Sequence, residues 1–416
     1  MRHVILGNGP AGVVAAETLR HYAPRDEIVL VGAEPEPPYS RMAIPYMLIG
    51  NIPEQGTHLR KDAGYFDKLN IKQVQGKAIR VDDRGRSVTL DRGPSLPYDR
   101  LLVATGSHPI KPPVEGIDSL GVFTCWTLAD ARAIADRATK GKRVLQIGAG
   151  FIGCIIMEAL AERGVDLTVI EMGDRMVPRM MTPKAGAMIK RWVEGKGVKV
   201  VTNAKVDRVI PGQPLKAHLS TGQTVDADLI IASAGVRPNI DFLQGSRVKT
   251  AQGVLVDNAM RTSVPEIFGA GDVVEAIEFD TDKHFINAIQ PDAVDQARVA
   301  ALNMLGRATE SQGALAINVL DTLGLISTSF GQWGGMAGGQ GVELVDERDW
   351  RYLSLQFLQD RLVGATAIGL TQHVGALRGL IQNRTRLGDW KDRLLKAPLQ
   401  FVDAYIACTQ PVALAR

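Results

Sequence analysis

The stretch GNGPAG at residues 7–12 follows the apolar run at residues 3–6, and the stretch GAGFIG at residues 148–153 follows residues 143–147. Both have the spacing Gly-x-Gly-x-x-Gly, which lets the backbone turn sharply from a strand into a helix and approach a pyrophosphate at the helix N-terminus. One such match is weak evidence, whereas two predict two bound dinucleotides and electron transfer between them. The predicted pyrophosphate-site residues are Gly7, Gly9, Gly12, Gly148, Gly150, Phe151, Ile152 and Gly153.

Each glycine-rich stretch is followed by a second apolar run that ends beside an acidic residue. Residues 28–31 precede Glu34, and residues 167–170 precede Glu171. A carboxylate at this position accepts hydrogen bonds from the adenosine ribose and repels a 2′-phosphate. Glu171 therefore favours NAD over NADP, and the alternative for both acids is an ordinary solvated strand end.

Three further stretches resemble signatures of the flavoprotein pyridine-nucleotide oxidoreductases: YDRLLVATG at 98–106, ASAGVRPN at 232–239 and IFGAGDV at 267–273. This family includes ferredoxin and rubredoxin reductases, NADH oxidases and the flavin part of nitrite reductase large subunits. The resemblance covers roughly residues 1–310 and implies that FAD and NAD(H) are the cofactors. It implies chain crossings between the two nucleotide domains at Ala104, Thr105, Gly106, Ala234 and Gly235, and FAD contacts at Gly271 and Asp272.

The same resemblance suggests which residues surround the flavin ring. Residues 38–41 resemble the family stretch that runs along the isoalloxazine, so Arg41 is predicted beside it and Pro45 close by. Residues 287–293 precede a helix whose N-terminus, by resemblance, points at the flavin pyrimidine and places Gln290 near the ring. The alternatives are a surface role for Arg41 and a capping role for Gln290. We assign no catalytic side chain, because hydride transfer needs little acid–base help.

The positions of the cysteines exclude a thiol relay. Disulfide reductases of the family carry a Cys-x4-Cys pair after the first glycine-rich stretch, and NADH oxidases carry one reactive cysteine where this chain has Met42. A thioether forms neither a thiolate nor a sulfenic acid. The three cysteines, Cys125, Cys154 and Cys408, lie far apart, and their spacing fits no metal site of the usual kind. We predict no bound metal.

The predicted fold class is α/β, with two Rossmann-like domains for FAD and NAD and a C-terminal α+β domain. Residues 1–110 and 241–312 form a discontinuous FAD-binding domain, residues 111–240 the NAD-binding domain and residues 313–416 an α+β interface domain. Short β-prone runs at 352–357 and 362–368 predict an antiparallel sheet in the last domain. Apolar residues at near-helical spacing predict a helical region over 373–395.

Composition and cysteine usage indicate which partners and which compartment to expect for the protein. A net charge of +3 over 416 residues gives no argument for a nucleic-acid partner. The sequence contains no apolar stretch long enough to span a bilayer, and Met1 precedes the first strand too closely for a signal peptide. Cysteine usage favours the cytoplasm. We expect the chain to work in a homo- or hetero-oligomer.

These observations predict an FAD-dependent NADH:acceptor oxidoreductase that exchanges electrons with an iron–sulfur protein or subunit. The segment 375–390 most resembles nitrite-reductase-type relatives, which include flavin subunits of phenylglyoxylate dehydrogenase-type and tungsten aldehyde oxidoreductase-type complexes. Two alternatives stay open: a stand-alone NADH oxidase or quinone reductase, and an NAD-sensing flavoprotein whose FAD is structural. Residues 373–398 carry six basic and two acidic side chains, which favours an acidic partner.

Overall fold

The computed structural model describes residues 1–409, so residues 410–416 at the end of the predicted C-terminal domain lie outside the described residues. The chain divides into two compact units. Unit 1 contains Met1–Pro109 and Val236–Ala314, and unit 2 contains Ile110–Gly235 and the chain from Leu315 onward. The division of unit 2 into an NAD-binding and an interface domain stays a prediction, as do the three domain boundaries.

The first 235 residues supply the two glycine-rich turns and the strands around them. From Met1 to Pro109 the elements are β1 (Arg2–Leu6), α1 (Pro10–Tyr22), β2 (Glu27–Gly32), α2 (Ile44–Ile49), α3 (Tyr65–Lys68), β3 (Ile71–Gln75), β4 (Ala78–Asp82), β5 (Ser87–Leu90), β6 (Leu96–Pro97), β7 (Arg100–Val103) and β8 (Ser107–Pro109). From Ile110 to Gly235 they are β9 (Val122–Phe123), α4 (Leu128–Arg137), β10 (Arg143–Ile147), α5 (Phe151–Glu162), β11 (Asp166–Ile170), α6 (Pro183–Gly195), β12 (Lys199–Val201), β13 (Val206–Ile210), β14 (Leu215–Leu219), β15 (Thr224–Ala227) and β16 (Leu229–Ala232).

The remaining described residues complete unit 1 and add a sheet to unit 2. From Val236 to Ala314 the elements are β17 (Val236–Pro238), β18 (Val254–Leu255), β19 (Ile267–Gly269), β20 (Val274–Ile277), β21 (His284–Phe285) and α7 (Gln290–Met304). After Leu315 they are β22 (Ile317–Thr322), β23 (Leu325–Gly331), β24 (Gln340–Asp346), β25 (Arg351–Leu358), β26 (Arg361–Ile368), α8 (Val374–Gln382), α9 (Trp390–Lys396) and α10 (Phe401–Thr409).

Unit 1 is built on a parallel sheet in the order β19-β7-β1-β2-β3. Its central strands are almost entirely apolar and buried, as expected for a parallel sheet covered on both faces. Helices α1 and α7 pack together, and the alanines that both helices bury allow a close approach. Because the strands are parallel, the segments that follow β1, β2, β7 and β19 share one edge.

Unit 2 contains a second parallel sheet in the order β12-β11-β10-β16-β9. Strand β10 pairs with β11 on one side and with β16 on the other, so it occupies the place that β1 has in unit 1. The two parallel sheets confirm the predicted α/β class with Rossmann-like domains.

The C-terminal part of unit 2 forms an antiparallel sheet in the order β22-β23-β26-β25-β24, which confirms the strands predicted at 352–357 and 362–368. The helical region predicted over 373–395 is instead two helices, α8 and α9. The chain leaves α8 through Asn383 and Arg384, and Arg384 and Gly388 both have left-handed backbone with φ of 49° and 53°. Residues at these φ values end a helix, which apolar periodicity alone does not reveal.

Within unit 2, helix α6 is held against the antiparallel sheet by specific contacts. The buried Tyr352 donates a hydrogen bond to Glu343 at 2.5 Å, and its hydroxyl lies 2.6 Å from that of Thr182. The indole of Trp192 donates to the carbonyl of Leu323 at 3.1 Å and packs edge-on against Trp350. Among residues 1–409, no helix is long and apolar enough to cross a membrane.

An acid with a raised pKa lies on α5, the helix that packs against β22. Burial raises the pKa of Glu158 on α5 to about 7, and the nearby carboxylates of Asp321 and Glu162 add to the shift. Because the folded-state pKa lies above the unfolded value, folding takes up a proton. The stabilising effect of that proton is complete below the unfolded pKa and is lost as the pH rises through about 7.

We predict that Glu158→Gln stabilises the protein at pH 8 and loses this advantage at pH 4, which lies below the unfolded pKa. The expected gain at pH 8 is on the order of 1 kcal/mol once solvent screening of a half-buried group is allowed for. Urea unfolding of both proteins at the two pH values measures it. The matched control is Glu194→Gln on the exposed face of α6. An equal pH dependence in both variants would contradict the assignment.

Candidate dinucleotide sites

The first glycine-rich turn is built from backbone that only glycine tolerates. Gly7 follows β1 with φ of +109°, and a Cβ at Gly7 would overlap the carbonyl oxygen of Ala104 at the end of β7. A Cβ at Gly12 would overlap the carbonyl oxygen of Gly7. These two glycines therefore make the tight turn and the close helix–strand contact that a dinucleotide fingerprint requires.

The middle glycine of that turn has a different reason to be small. Gly9 is the N-cap of α1 with φ of −74°, which any residue can adopt. A Cβ at Gly9 would meet no heavy atom of the described residues within 4 Å. Over residues 1–409, no side chain caps α1 and its first turn carries no acid. The helix thus presents its N-terminal N–H groups and positive dipole end to an open space, as an anion site does.

Asp272 follows β19 and lies where three elements meet. A Cβ at the neighbouring Gly271, whose φ is +83°, would lie 3.3 Å from Ala11 on α1 and 3.5 Å from Ala293 on α7. Asp272 accepts a hydrogen bond from the hydroxyl of Ser107 at 3.0 Å. Burial raises the pKa of Asp272, while Ser107 and the charge of Arg41 oppose that rise. The structure therefore brings the segments 7–12, 104–107 and 271–272 together at one edge of unit 1.

Glu34 and Arg41 are partners in the structure. The guanidinium of Arg41 donates to Glu34 at 2.5 Å and to the hydroxyl of Tyr39 at 2.7 Å, and Tyr39 donates to Glu34 at 2.6 Å. The sequence predictions placed Glu34 at the adenosine ribose and Arg41 at the isoalloxazine, two groups at opposite ends of FAD. The salt bridge shows that the two side chains are neighbours, and the positions of Arg41 beside the isoalloxazine and of Glu34 at the ribose both stay predictions.

The crossing segment at Thr105 and Gly106 is tied to the returning chain. The Thr105 hydroxyl donates to the carbonyl of Asn239 at 2.9 Å, and the Asn239 amide donates back to the carbonyl of Thr105 at 2.8 Å. The backbone N–H of Asn239 donates to the carbonyl of Gly106 at 3.0 Å. Ser107 and Asn239 were missed as site residues, although both lie within or next to the motifs quoted above.

Gln290 is the first residue of α7, and its side-chain oxygen accepts a hydrogen bond from Ser40 at 2.8 Å. Both residues line an open groove of about 550 Å³, together with Met42, Ala43, Tyr46, Pro291, Val294 and Asp295. Pro45 lies in the first turn of α2. The structure thus brings Gln290 close to the segment that resembles the flavin-facing stretch.

The second glycine-rich turn repeats the first in detail. Gly148 follows β10 with φ of +101°, and a Cβ on it would overlap the carbonyl oxygen of Ser233 after β16. A Cβ at Gly153 would overlap the carbonyl oxygen of Gly148. Gly150 is the N-cap of α5 with φ of −73°, and a Cβ there would meet no heavy atom of residues 1–409 within 4 Å. Unit 2 therefore contains the same anion-binding geometry.

The remaining residues predicted to bind NAD lie next to this turn, at the same edge of the sheet. Phe151 and Ile152 are partly exposed at the start of α5. Ala234 and Gly235 follow β16, and Gly235 has φ of +104°. The structure thus groups these four residues with the glycine-rich turn.

Glu171 follows β11 and is largely buried. Its carboxylate accepts hydrogen bonds from the backbone N–H of Ala149 at 2.6 Å and of Gly173 at 2.7 Å. A carboxylate offers about four acceptor positions, so these two hydrogen bonds do not use all of them. Glu171 therefore also holds the glycine-rich turn, a role that sequence reasoning missed.

The cysteines lie in environments that suppress thiolate chemistry. Cys125 and Cys154 are buried; burial raises the pKa of Cys125 to about 12, and it also raises that of Cys154. Burial likewise raises the pKa of the partly exposed Cys408 thiol. Residues 1–409 contain no group of three or more His, Cys, Asp or Glu side chains that could hold a metal ion.

The two turns fit the cofactors that the sequence implies. In both units, a Cβ on the first or third glycine would overlap backbone, whereas one on the middle glycine would enter open space at an uncapped helix N-terminus. An acid follows the neighbouring strand in each unit. This combination suits the pyrophosphate and ribose of FAD in unit 1 and of NAD(H) in unit 2.

Comparisons with known proteins agree with this geometry. Residues 1–301 match the family model described as pyridine nucleotide-disulphide oxidoreductase. The chain is 31% identical over 403 residues to the NADH-dependent phenylglyoxylate dehydrogenase subunit epsilon of Aromatoleum evansii, covering 96% of this chain and 95% of that protein. It is 32% identical to the anthranilate 1,2-dioxygenase system ferredoxin–NAD(+) reductase component of Burkholderia cepacia, covering 91% and 93%.

A solved structure shows the same fold. The structure of the covalent putidaredoxin reductase–putidaredoxin complex superposes with a TM-score of 0.91 at 22% identity, covering 99% of both chains. The chain belongs to the pyridine nucleotide-disulphide oxidoreductase family. It is an FAD-dependent NAD(H) oxidoreductase, and it transfers electrons between NAD(H) and a redox partner.

We predict that Gly9→Val abolishes binding of FAD alone and that Gly150→Val abolishes binding of NAD⁺ alone. Both backbone conformations accept a Cβ, so the fold should survive with a capping loss of about 1 kcal/mol. The first variant should purify without flavin, and the second should retain flavin but no longer bind NAD⁺ in calorimetry. Gly195→Val, at an equally open position on α6, is the matched control. Retention of both ligands by either fingerprint variant would refute the site it tests.

A second prediction concerns the choice of nucleotide. NADH should reduce the flavin faster than NADPH at equal low concentrations, because Glu171 repels a 2′-phosphate. Glu171→Ala should weaken NADH binding and narrow the difference, whereas the exposed Asp174→Ala should leave it unchanged. Anaerobic stopped-flow absorbance measures both rates. Equal rates for the two nucleotides with the unaltered protein would contradict the assignment.

Proposed function

We propose that the redox partner is an iron–sulfur protein or subunit, and that this chain is the flavin component of a larger electron-transfer system. The main support is that the described residues contain two nucleotide sites but no reactive cysteine that could relay electrons from the flavin. Met42 stands at the position of the reactive cysteine, and the pKa values of Cys125 and Cys154 are raised by burial. Electrons therefore pass directly between the flavin and the partner.

In the proposed assignment, FAD is held in unit 1 by Gly7, Gly9 and Gly12, with Glu34 at the ribose and Asp272 at the ribityl chain. NAD(H) is held in unit 2 by Gly148, Gly150 and Gly153, with Glu171 at its ribose. FAD supplies hydride exchange with the nicotinamide and can also release single electrons. The protein supplies the two anion sites, the nucleotide preference and the partner surface.

The relatives support this proposal by what their names record. One is a subunit of a phenylglyoxylate dehydrogenase and another is a ferredoxin–NAD(+) reductase component. The first name describes one subunit of a larger enzyme, and the second describes one component of a dioxygenase system. A multi-component assembly and a cytoplasmic location stay predictions for this chain.

A basic surface on unit 2 suits an acidic partner. Helices α8 and α9 and the turn between them carry exposed basic side chains: Arg378, Arg384, Arg386, Arg393 and Lys396. Ferredoxin-type carriers are often acidic, and complementary charge raises the encounter rate in a salt-dependent manner. The alternative is a solvated helix face with no partner.

We predict that Arg384→Glu with Arg386→Glu slows electron transfer to an acidic ferredoxin about tenfold at low salt and flattens its dependence on ionic strength. Reduction of the flavin by NADH should not change. Stopped-flow reduction of a [2Fe–2S] ferredoxin by the NADH-reduced protein measures the partner step.

The matched control is Arg80→Glu with Arg84→Glu, which changes the net charge equally on an exposed part of unit 1. Equal slowing by both double variants would show that net charge, and not this surface, governs the encounter. Fast NADH oxidation by oxygen together with no ferredoxin reduction by the unaltered protein would instead favour a stand-alone NADH oxidase. Flavin that NADH fails to reduce would favour an NAD sensor.

A further inference from the structure

A glutamine lies among the apolar residues of strand β10, two residues before the second glycine-rich turn. Gln146 is fully buried. Its side-chain amide donates to the carbonyl of Gly148 at 2.8 Å and to the carbonyl of Gly153 at 2.9 Å. One amide group thereby joins the first and third glycines of the turn.

The oxygen atom of the same amide makes no hydrogen bond within the described residues. Among residues 1–409, the oxygen Oε1 of Gln146 is buried and has no hydrogen-bond partner. The assignment of nitrogen and oxygen is fixed by chemistry, because two carbonyls can accept only from the NH₂ group. A buried amide oxygen without a partner destabilises a fold. An apolar residue would therefore serve the strand better.

In unit 1, the equivalent position is occupied by an apolar residue. The residue two before Gly7 is Ile5, and its Cγ2 lies 3.3 Å from the position of a Cβ on Gly12. In unit 2, Nε2 of Gln146 lies 3.1 Å from the position of a Cβ on Gly153. The two side chains fill the same space in the two turns, so the fold itself does not require an amide there.

We propose that Gln146 is a positioning residue for NAD(H) binding, which acts by fixing the glycine-rich turn in its ligand-ready form. The two carbonyls that it joins set the distance between the start of the turn and the first turn of α5. Glu171 binds the same turn through the backbone N–H of Ala149. A turn fixed beforehand loses less conformational entropy when the pyrophosphate binds.

The inference rests on the proposed NAD site in unit 2, and its test separates the two. Gln146→Met keeps the side-chain length without a donor, and Gln146→Ile installs the residue of unit 1. Both variants should weaken NAD⁺ binding about tenfold in calorimetry, through loss of the amide hydrogen bonds. The KM for NADH should rise equally, while kcat at saturating NADH and the flavin content stay unchanged.

Two readouts distinguish positioning from a structural role. Without NAD⁺, the melting temperature of both variants should equal or exceed that of the unaltered protein. Hydrogen exchange of the 148–153 amides should become faster in both. A lower melting temperature with unchanged NAD⁺ affinity would overturn the inference, and so would loss of folding in both variants.

Gly150→Val provides the reference for the site itself. If it abolishes NAD⁺ binding while both Gln146 variants bind NAD⁺ normally, the inference fails and the proposed site stands. If it leaves NAD⁺ binding intact, the site assignment fails and the inference fails with it.

Discussion

The structure depends on a contact between backbone atoms: the first glycine of each glycine-rich turn lies against the carbonyl oxygen of the residue that follows a neighbouring parallel strand. Gly7 meets Ala104 in unit 1, and Gly148 meets Ser233 in unit 2. No side chain fits in either place. The contact directs the chain from a central parallel strand into a helix whose N-terminus faces open space, and the anion site follows from that geometry.

The chemistry of the protein follows from what surrounds these two turns. Each turn has an acid after the neighbouring strand, but the acids are held differently. Glu34 pairs with Arg41 and Tyr39, whereas Glu171 binds backbone N–H groups of its own turn and of Gly173. Burial raises the pKa values of the Cys125 and Cys154 thiols, which is consistent with a flavin that acts without a cysteine relay. In the proposed function, the protein contributes the two binding sites, the nucleotide preference and a basic surface, and the cofactors supply the redox chemistry.

Much of this could be predicted from the sequence because the decisive constraint is local. A tight turn with no room for a Cβ requires glycine, so the sequence predicts both turns and the strands that precede them. The antiparallel strands at 352–357 and 362–368 were identified from their β-prone composition. Side-chain partnerships between distant segments could not be predicted in this way. The Arg41–Glu34 salt bridge and the environment of Glu158 depend on which loop side chains meet, and Gln146 was overlooked because it lies within an apolar strand. The break between α8 and α9 depends on left-handed backbone at Arg384 and Gly388, which apolar spacing does not report.

The central claim is that FAD is the redox centre through which this chain passes electrons, with no cysteine sharing them. Anaerobic titration of the FAD-loaded protein with NADH, followed by the flavin absorbance, tests this most directly. The account predicts complete bleaching at one NADH per FAD, because a hydride carries two electrons and the flavin accepts two. An endpoint at two NADH per FAD would reveal a second two-electron centre and contradict the account.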